Sequence, residues 1–201
     1  MKILYAASEA QPVAASGGLA DVAGSLPKAL VEEGHEACVV VPLYVNTIKQ
    51  QWRDQMTYVT NFSVPVGWRN QYCGLFTSKI NNVTYYFLDN EYYFKRDFGL
   101  YGYYDDAERY AFFSRAVLEM LKVIDFKPQI INSNDWQCAL IPVYYSIFYR
   151  NDEKLWGIKN VFTIHNIQYQ GRYGMEILED VLGIPKHFAS LMEYDLSLIH
   201  I

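Results

Sequence analysis

Lys2-Ile3-Leu4-Tyr5-Ala6-Ala7, then Gly17-Gly18, then Ala37-Cys38-Val39-Val40-Val41-Pro42 read as two buried strands joined through a helix. Both strand segments are continuously apolar, the pattern of strands covered on both faces. Between them Leu19, Val22, Ala23, Leu26 and Leu30 recur on one side of a helical wheel, and Gly34 is a good C-terminal stop. Pro27 should kink this helix or restart it, because proline lacks the amide donor and crowds the preceding turn. A strand, helix, strand unit of this kind predicts an α/β domain with a mainly parallel sheet.

Beyond Pro42 the pattern changes. Tyr58–Val66, Gln71–Ile80 and Val83–Leu88 have strand character, and Asn81-Asn82 suits a tight hairpin turn between the last two. They predict a β-meander inserted into the α/β domain. Asp105 stands three residues before Glu108, a capping-box spacing, ahead of a helix that turns Tyr110, Ala111, Ser114, Val117, Leu118 and Leu121 inward. Alternation then resumes with a strand at Ile130–Ser133, a helix at Asp135–Tyr149 and a buried strand at Asn160–Ile164, which stops at His165-Asn166. No repeat or linker interrupts the 201 residues, so one continuous domain is expected. In such sheets ligands gather outside the carboxyl ends of the strands, and Gly17-Gly18, Asn134-Asp135 and His165-Asn166 all fall there.

Composition narrows the function classes. With 51% apolar residues the chain can bury a sizeable core. A net charge of -5 argues against a nucleic-acid or anionic-membrane surface, since either needs a basic face. The 18 tyrosines offer flat faces with a hydroxyl, the chemistry of sugar platforms, although many must pack in the core. Cys38, Cys73 and Cys138 are odd in number, lack metal-ligand spacing and sit in apolar stretches, as reduced core thiols of a cytoplasmic protein do. The opening apolar run is too short for a signal peptide, and no run reaches transmembrane length.

Each candidate residue has a functional and a structural reading. Gly17-Gly18 at a strand-to-helix turn lets backbone amides approach a phosphate or sugar oxygen, or it is an ordinary turn. It is neither a GxGxxG nor a Walker loop. Asp21, in the first helical turn, opposes the helix dipole or accepts from sugar hydroxyls. Asp135 is a helix N-cap or a ligand contact. His165 donates to a sugar hydroxyl or to a reacting centre, or is a satisfied structural histidine. Asp105-Asp106 looks metal-like, but no histidine or cysteine spacing supports a metal, and capping accounts for it better.

Taken together, these residues resemble the glycogen and starch synthase family of retaining glucosyltransferases. The likeness rests on Lys2-Ile3-Leu4 through Ser8-Glu9, on the run from Gly17 to Leu30, on Gly34-His35 and on Val40-Val41-Pro42. It continues through Tyr101-Gly102-Tyr103, Arg109 to Ala116, Asn134-Asp135-Trp136-Gln137 and Phe162 to Gly171. The resemblance implies a GT-B architecture, two Rossmann-like domains facing a cleft, of which residues 1–201 form the N-terminal, acceptor-side one and the nucleotide-sugar domain is absent. It implies transfer of glucose from ADP-glucose or UDP-glucose to the non-reducing end of an α-1,4-glucan, with retention, and without a cofactor or metal. By the same resemblance, Gly17 and Gly18 approach the donor phosphates, Asp21 and Asp135 contact donor or acceptor glucose, and Tyr101 lies against a sugar ring. His165 bonds the transferred glucose, with Asn166 beside it.

The chain departs from that family in three places. Ala15-Ser16 stands where many members have Lys-Thr, which removes a cationic contact to the donor. Asn132, Asn134 and Gln137 stand where many have histidines. Leu196–Ile201 resembles no family continuation. Two other readings remain open on the sequence: a stand-alone glucan-binding module, and another GT-B enzyme such as a sucrose-type synthase.

Overall fold

In the computed structural model β1 (Lys2–Ala6) lies inside a seven-stranded sheet, its residues from Ile3 onward buried. The structure describes residues 1–192 with their side chains and the backbone of 193–194 and 197–199. The expectation about Leu196–Ile201 rests on side chains outside the described residues. β1 pairs in parallel with β2 (Glu36–Pro42) on one side and with β6 (Ile130–Asn134) on the other, and β6 pairs in parallel with β7 (Lys159–Thr163). β3 (Thr57–Val66), β4 (Arg69–Ile80) and β5 (Val83–Asp89) form the meander, and the sheet order is β3-β4-β5-β2-β1-β6-β7. β5 is parallel to β2, so the meander extends the main sheet and forms no layer of its own. Asn81 and Asn82 have φ of 49° and 67°, the left-handed pair that a two-residue hairpin needs.

Helix α1 (Gly18–Glu32) follows β1 and ends at Gly34, whose φ is +84°. The His35 amide reaches back to the Leu30 carbonyl and the Gly34 amide to that of Val31, the paired bonds of a Schellman cap. The helix does not restart at Pro27: α1 runs through it, and Pro27 is buried together with Leu19, Ala20 and Ala23. That face is rotated from the expected one, for Leu26 is 39% exposed. A proline inside a helix costs about 3 kcal/mol, and burying the ring offsets part of it. Gly24 allows the approach of α1 to the loop after β1, because a Cβ there would lie 2.8 Å from both the Cβ and the carbonyl oxygen of Gln11.

After two short helices, α2 (Gln50–Arg53) and α3 (Glu91–Phe94), comes α4 (Asp106–Met120), buried around most of its circumference. The capping box is not formed. Asp105 pairs with Arg96, while Glu108 accepts from the Tyr93 hydroxyl and pairs with Arg69 at 3.0 Å, so cations and a phenol take the carboxylates that backbone amides were expected to hold. The helix expected over 135–149 is a succession of forms: a 3₁₀ turn at Trp136–Cys138, α5 (Leu140–Tyr144) and a π turn at Tyr145–Tyr149. β7 is an edge strand with Val161 44% exposed, and so is not the fully buried strand that its apolar sequence suggested. A two-residue strand β8 (Arg172–Tyr173), a short helix α6 (Ile177–Asp180), and strands β9 (Glu193–Tyr194) and β10 (Ser197–Ile199) complete the chain, with the three strands in a second small sheet. Among the described residues, no helix is long and apolar enough to cross a membrane.

Gly24→Ala is expected to destabilise the fold by about 1–3 kcal/mol, the range for overpacking, despite alanine's better helix propensity. Urea unfolding of the two proteins checks it, and an unchanged or raised midpoint would contradict the close approach.

Candidate functional site

Because β1, β6 and β7 run in the same direction, the segments that follow them leave from one rim of the sheet. The chain builds outward from β1 toward β2 on one side and toward β6 on the other, so the switch in strand order falls between β1 and β6. Loops on the two sides diverge there and leave a crevice. Gly17 and Gly18 reach that rim from β1, Asp135 follows β6 directly, and His165 and Asn166 follow β7.

Asp135 makes no capping bond. Its amide donates to the Thr163 carbonyl at 2.9 Å, which carries the β6–β7 ladder one step past the strand ends. Its backbone has φ 55° and ψ 179°, a conformation of the kind that non-glycine residues hold at functional sites. The carboxylate crosses to the neighbouring loop, where Oδ1 accepts the His165 amide at 2.7 Å. His165 is exposed, and its Nε2 lies 2.9 Å from Oδ1 of the fully buried Asn134. Asn166 is exposed and shapes the loop, its Oδ1 accepting from the Gln168 amide at 3.0 Å.

On the β1 side the glycine turn is anchored by Glu9, which is only 3% exposed. Its carboxylate accepts the Ser16 amide and carries a pKa raised from 4.5, chiefly by burial, with the charge of Asp135 adding to the rise. No ion pair of Glu9 with a cation is found among the described residues. Position 15, where many family members have a lysine, is alanine. Gly18 is different in kind: a Cβ there would meet nothing within 4 Å, so the fold itself does not demand glycine. Asp21 is exposed in the first turn of α1.

Tyr101 lies half-buried on the loop before α4. Its hydroxyl is 2.7 Å from Ser8 Oγ and its ring leans on Tyr110 with centroids 6.0 Å apart. Burial drives the phenol well above its ordinary value of 10.0, so it stays a neutral hydrogen-bonding group. The ring expected to lie against a sugar is thus a tethered one, partly buried against the core. The Tyr44 hydroxyl donates to the Ser8 carbonyl at 2.8 Å from the other side. Arg109, fully buried, holds the whole loop: it donates to the carbonyls of Tyr93 and Leu100, pairs with Asp106 and lies 4.8 Å from the Tyr103 ring.

Glu9 and Arg109 were given no site role in the sequence reading, and Asn134 was placed at the rim without a partner. Glu9 had one usable signal, a carboxylate placed directly past a buried strand. Arg109 had another, in that it stands one helical turn after Asp106 on a face otherwise apolar. Beside the rim a cavity of about 550 Å³ is lined by Trp136 and by Ile167 to Arg172, with the Tyr169 ring 69% exposed next to it. Among the described residues, no group of three or more His, Cys, Asp or Glu could hold a metal ion.

A mostly parallel sheet with its crevice at the switch point is that of a doubly wound, ligand-binding α/β domain. The family model described as the starch synthase catalytic domain matches residues 2–198, and the chain belongs to that family. It is 50% identical over 193 residues to a glycogen synthase of Exiguobacterium sibiricum, covering 94% of this chain and 40% of the relative. To a glycogen synthase of Clostridium botulinum it is 51% identical over 184 residues, covering 91% and 38%. The chain therefore spans about two fifths of the length of the curated relatives it matches. The solved catalytic domain of starch synthase IV from Arabidopsis thaliana, bound to ADP and acarbose, superposes with a TM-score of 0.86 at 26% identity, over 98% of this chain and 41% of that one.

Glu9 yields a pH prediction. A carboxyl whose folded pKa is raised leaves the native state holding more protons than the unfolded chain, so its ionisation costs stability as pH rises from 4.5 through the folded value. Relative to Glu9→Gln, the wild-type chain is expected to lose stability across that window and to level off above it. Urea midpoints of both proteins against pH provide the measurement, and parallel curves would contradict the assignment.

Proposed function

We propose that this chain is the acceptor-side catalytic domain of a glycogen synthase, and that the whole protein transfers glucose from ADP-glucose to the non-reducing end of an α-1,4-glucan with retention. The observation that carries the reading is the meeting of Gly17-Gly18, Asp135 and His165 at one switch-point rim, in a chain half identical to glycogen synthases. The open space at Gly18 supports it, since a glycine that the fold does not need leaves room for a ligand to approach the backbone. ADP in the Arabidopsis relative favours the adenine donor, and acarbose there favours a glucan-like acceptor.

In this reading the residues work by position. Asp135 holds the His165 backbone, so the imidazole meets the sugar from a fixed place. Glu9, Ser8 and Tyr101 hold the glycine turn and the sugar-facing ring in register. The leaving diphosphate is the main charge to stabilise in an oxocarbenium-like transition state, and the chain offers backbone amides for it but no lysine at position 15. The remaining cationic stabilisation comes from the part of the protein beyond these residues. Burial holds the Cys38 and Cys138 thiols up at about 12, which fits inert thiols in a reducing compartment such as the cytoplasm.

Two outcomes are expected. In the whole protein, radiolabel from ADP-glucose enters glycogen, and His165→Ala lowers turnover by roughly a hundredfold, the effect of losing one positioned polar contact. Gly18→Ala lowers it too while leaving the urea midpoint unchanged or slightly raised. Absence of label with both ADP-glucose and UDP-glucose would overturn the reading. The 201-residue chain alone is expected to transfer no label, because an open rim leaves its hydrogen bonds in water, where they are weak.

A further inference from the structure

The contact between His165 and Asn134 decides which imidazole nitrogen carries the proton. Asn134 is wholly buried, and its Nδ2 donates to the carbonyl of Ala6 at 3.0 Å and to that of Asn132 at 3.1 Å. Both partners can only accept. Turning the amide round would set Oδ1 against two carbonyl oxygens, so the network itself assigns the orientation. Oδ1 then faces the ring, 2.9 Å from Nε2, and an amide oxygen can only accept. Nε2 must therefore be the donor.

We propose that Asn134 is a positioning residue that holds His165 as the Nε2–H tautomer and so makes Nδ1 a hydrogen-bond acceptor. The tautomer assignment stands on geometry alone. Its consequence rests on the proposed function: Nδ1 of the neutral ring accepts a hydrogen bond from a glucose hydroxyl, the reverse of the donation expected from the sequence. A neutral histidine has one donor and one acceptor, and which is which is set by the bond the other nitrogen makes. Here the fixing partner belongs to the sheet. Asn134 ties the end of β6 to the end of β1, while Asn132 Oδ1 accepts the Thr163 hydroxyl at 3.1 Å and ties β6 to β7. The Asp135 carboxylate holds the His165 amide at 2.7 Å, so both the backbone and the ring of His165 are set from β6 and the residue after it. Among the described residues Nδ1 has no hydrogen-bond partner, which leaves it free for a ligand.

The test is long-range ¹H–¹⁵N NMR of the imidazoles of the 201-residue chain, with the His165 signals assigned by their loss in His165→Gln. At a pH where the ring is neutral, Nε2 is expected to resonate as a protonated, pyrrole-type nitrogen and Nδ1 as a bare, pyridine-type one, with the Nε2–H form in roughly tenfold excess or more. Asn134→Ala is expected to bring the two nitrogens toward averaged shifts. A wild-type ring with Nδ1 protonated, or an Asn134→Ala ring with the wild-type pattern, would overturn the assignment. If the alanine variant does not fold, the wild-type spectrum still decides. Maltoheptaose and ADP-glucose are then added separately to the wild-type chain. Movement of Nδ1 toward the hydrogen-bonded position with either sugar supports the acceptor role. No movement with either, at concentrations where other resonances shift, refutes that role while leaving the tautomer assignment in place.

Discussion

With β2 and β6 both paired to it in parallel, β1 has no free backbone edge, and its carboxyl end must open at the same rim as theirs. β7 adds to β6 in the same sense. Sheet polarity alone then delivers the segments after β1, β6 and β7 to one place. The order β2-β1-β6 adds the second half of the result, because chain leaving β1 turns away from chain leaving β6, and the space between them is not filled by a connection. The meander lengthens the sheet beyond β2, and its last strand, β5, is parallel to β2 and so ends at the same rim, leading into the segment that carries Tyr101.

Direction is not position, and buried polar groups supply the rest. Ser8 receives Tyr44 on its carbonyl and shares a hydrogen bond with Tyr101 through its hydroxyl, Glu9 takes the Ser16 amide, and Asn134 spans from β6 to β1. Each of these groups is expensive to leave unpaired away from water, so each link fixes a loop more firmly than its small net stabilisation suggests. Arg109 does the same for the segment before α4, where a fully buried guanidinium gathers two carbonyls, a carboxylate and aromatic faces. The rim is thereby preorganised on rigid elements, which a site that works by placement requires.

The strand, helix, strand opening was legible in the residues, because unbroken apolar runs and a left-handed glycine at position 34 depend on local chemistry alone. So was the hairpin at Asn81-Asn82, for the same reason. The turn of α1 about its axis was not. Leu26 reads as core and is exposed, while Pro27 reads as a kink or restart and is packed within a continuous helix, where burial of its ring offsets part of the cost of the lost amide bond. Asp105, Glu108 and Asp135 all have capping positions and none of them caps, because Arg96 from the preceding loop, and Arg69 and the His165 amide from distant parts of the chain, reach them.

By itself the sequence determined the class of fold, the order of its elements and which loops would share a rim, all of which follow from periodicity, backbone preference and strand polarity. The tertiary structure alone decided what the polar side chains at that rim do. Glu9 is an anchor for the glycine turn, Tyr101 a tethered ring and His165 a ring whose tautomer is set by Asn134. The physical reason is that a hydrogen bond's donor and acceptor are chosen by whichever group lies within reach. Between residues separated by 31 positions in the chain, as Asn134 and His165 are, reach is created only when the strands come together.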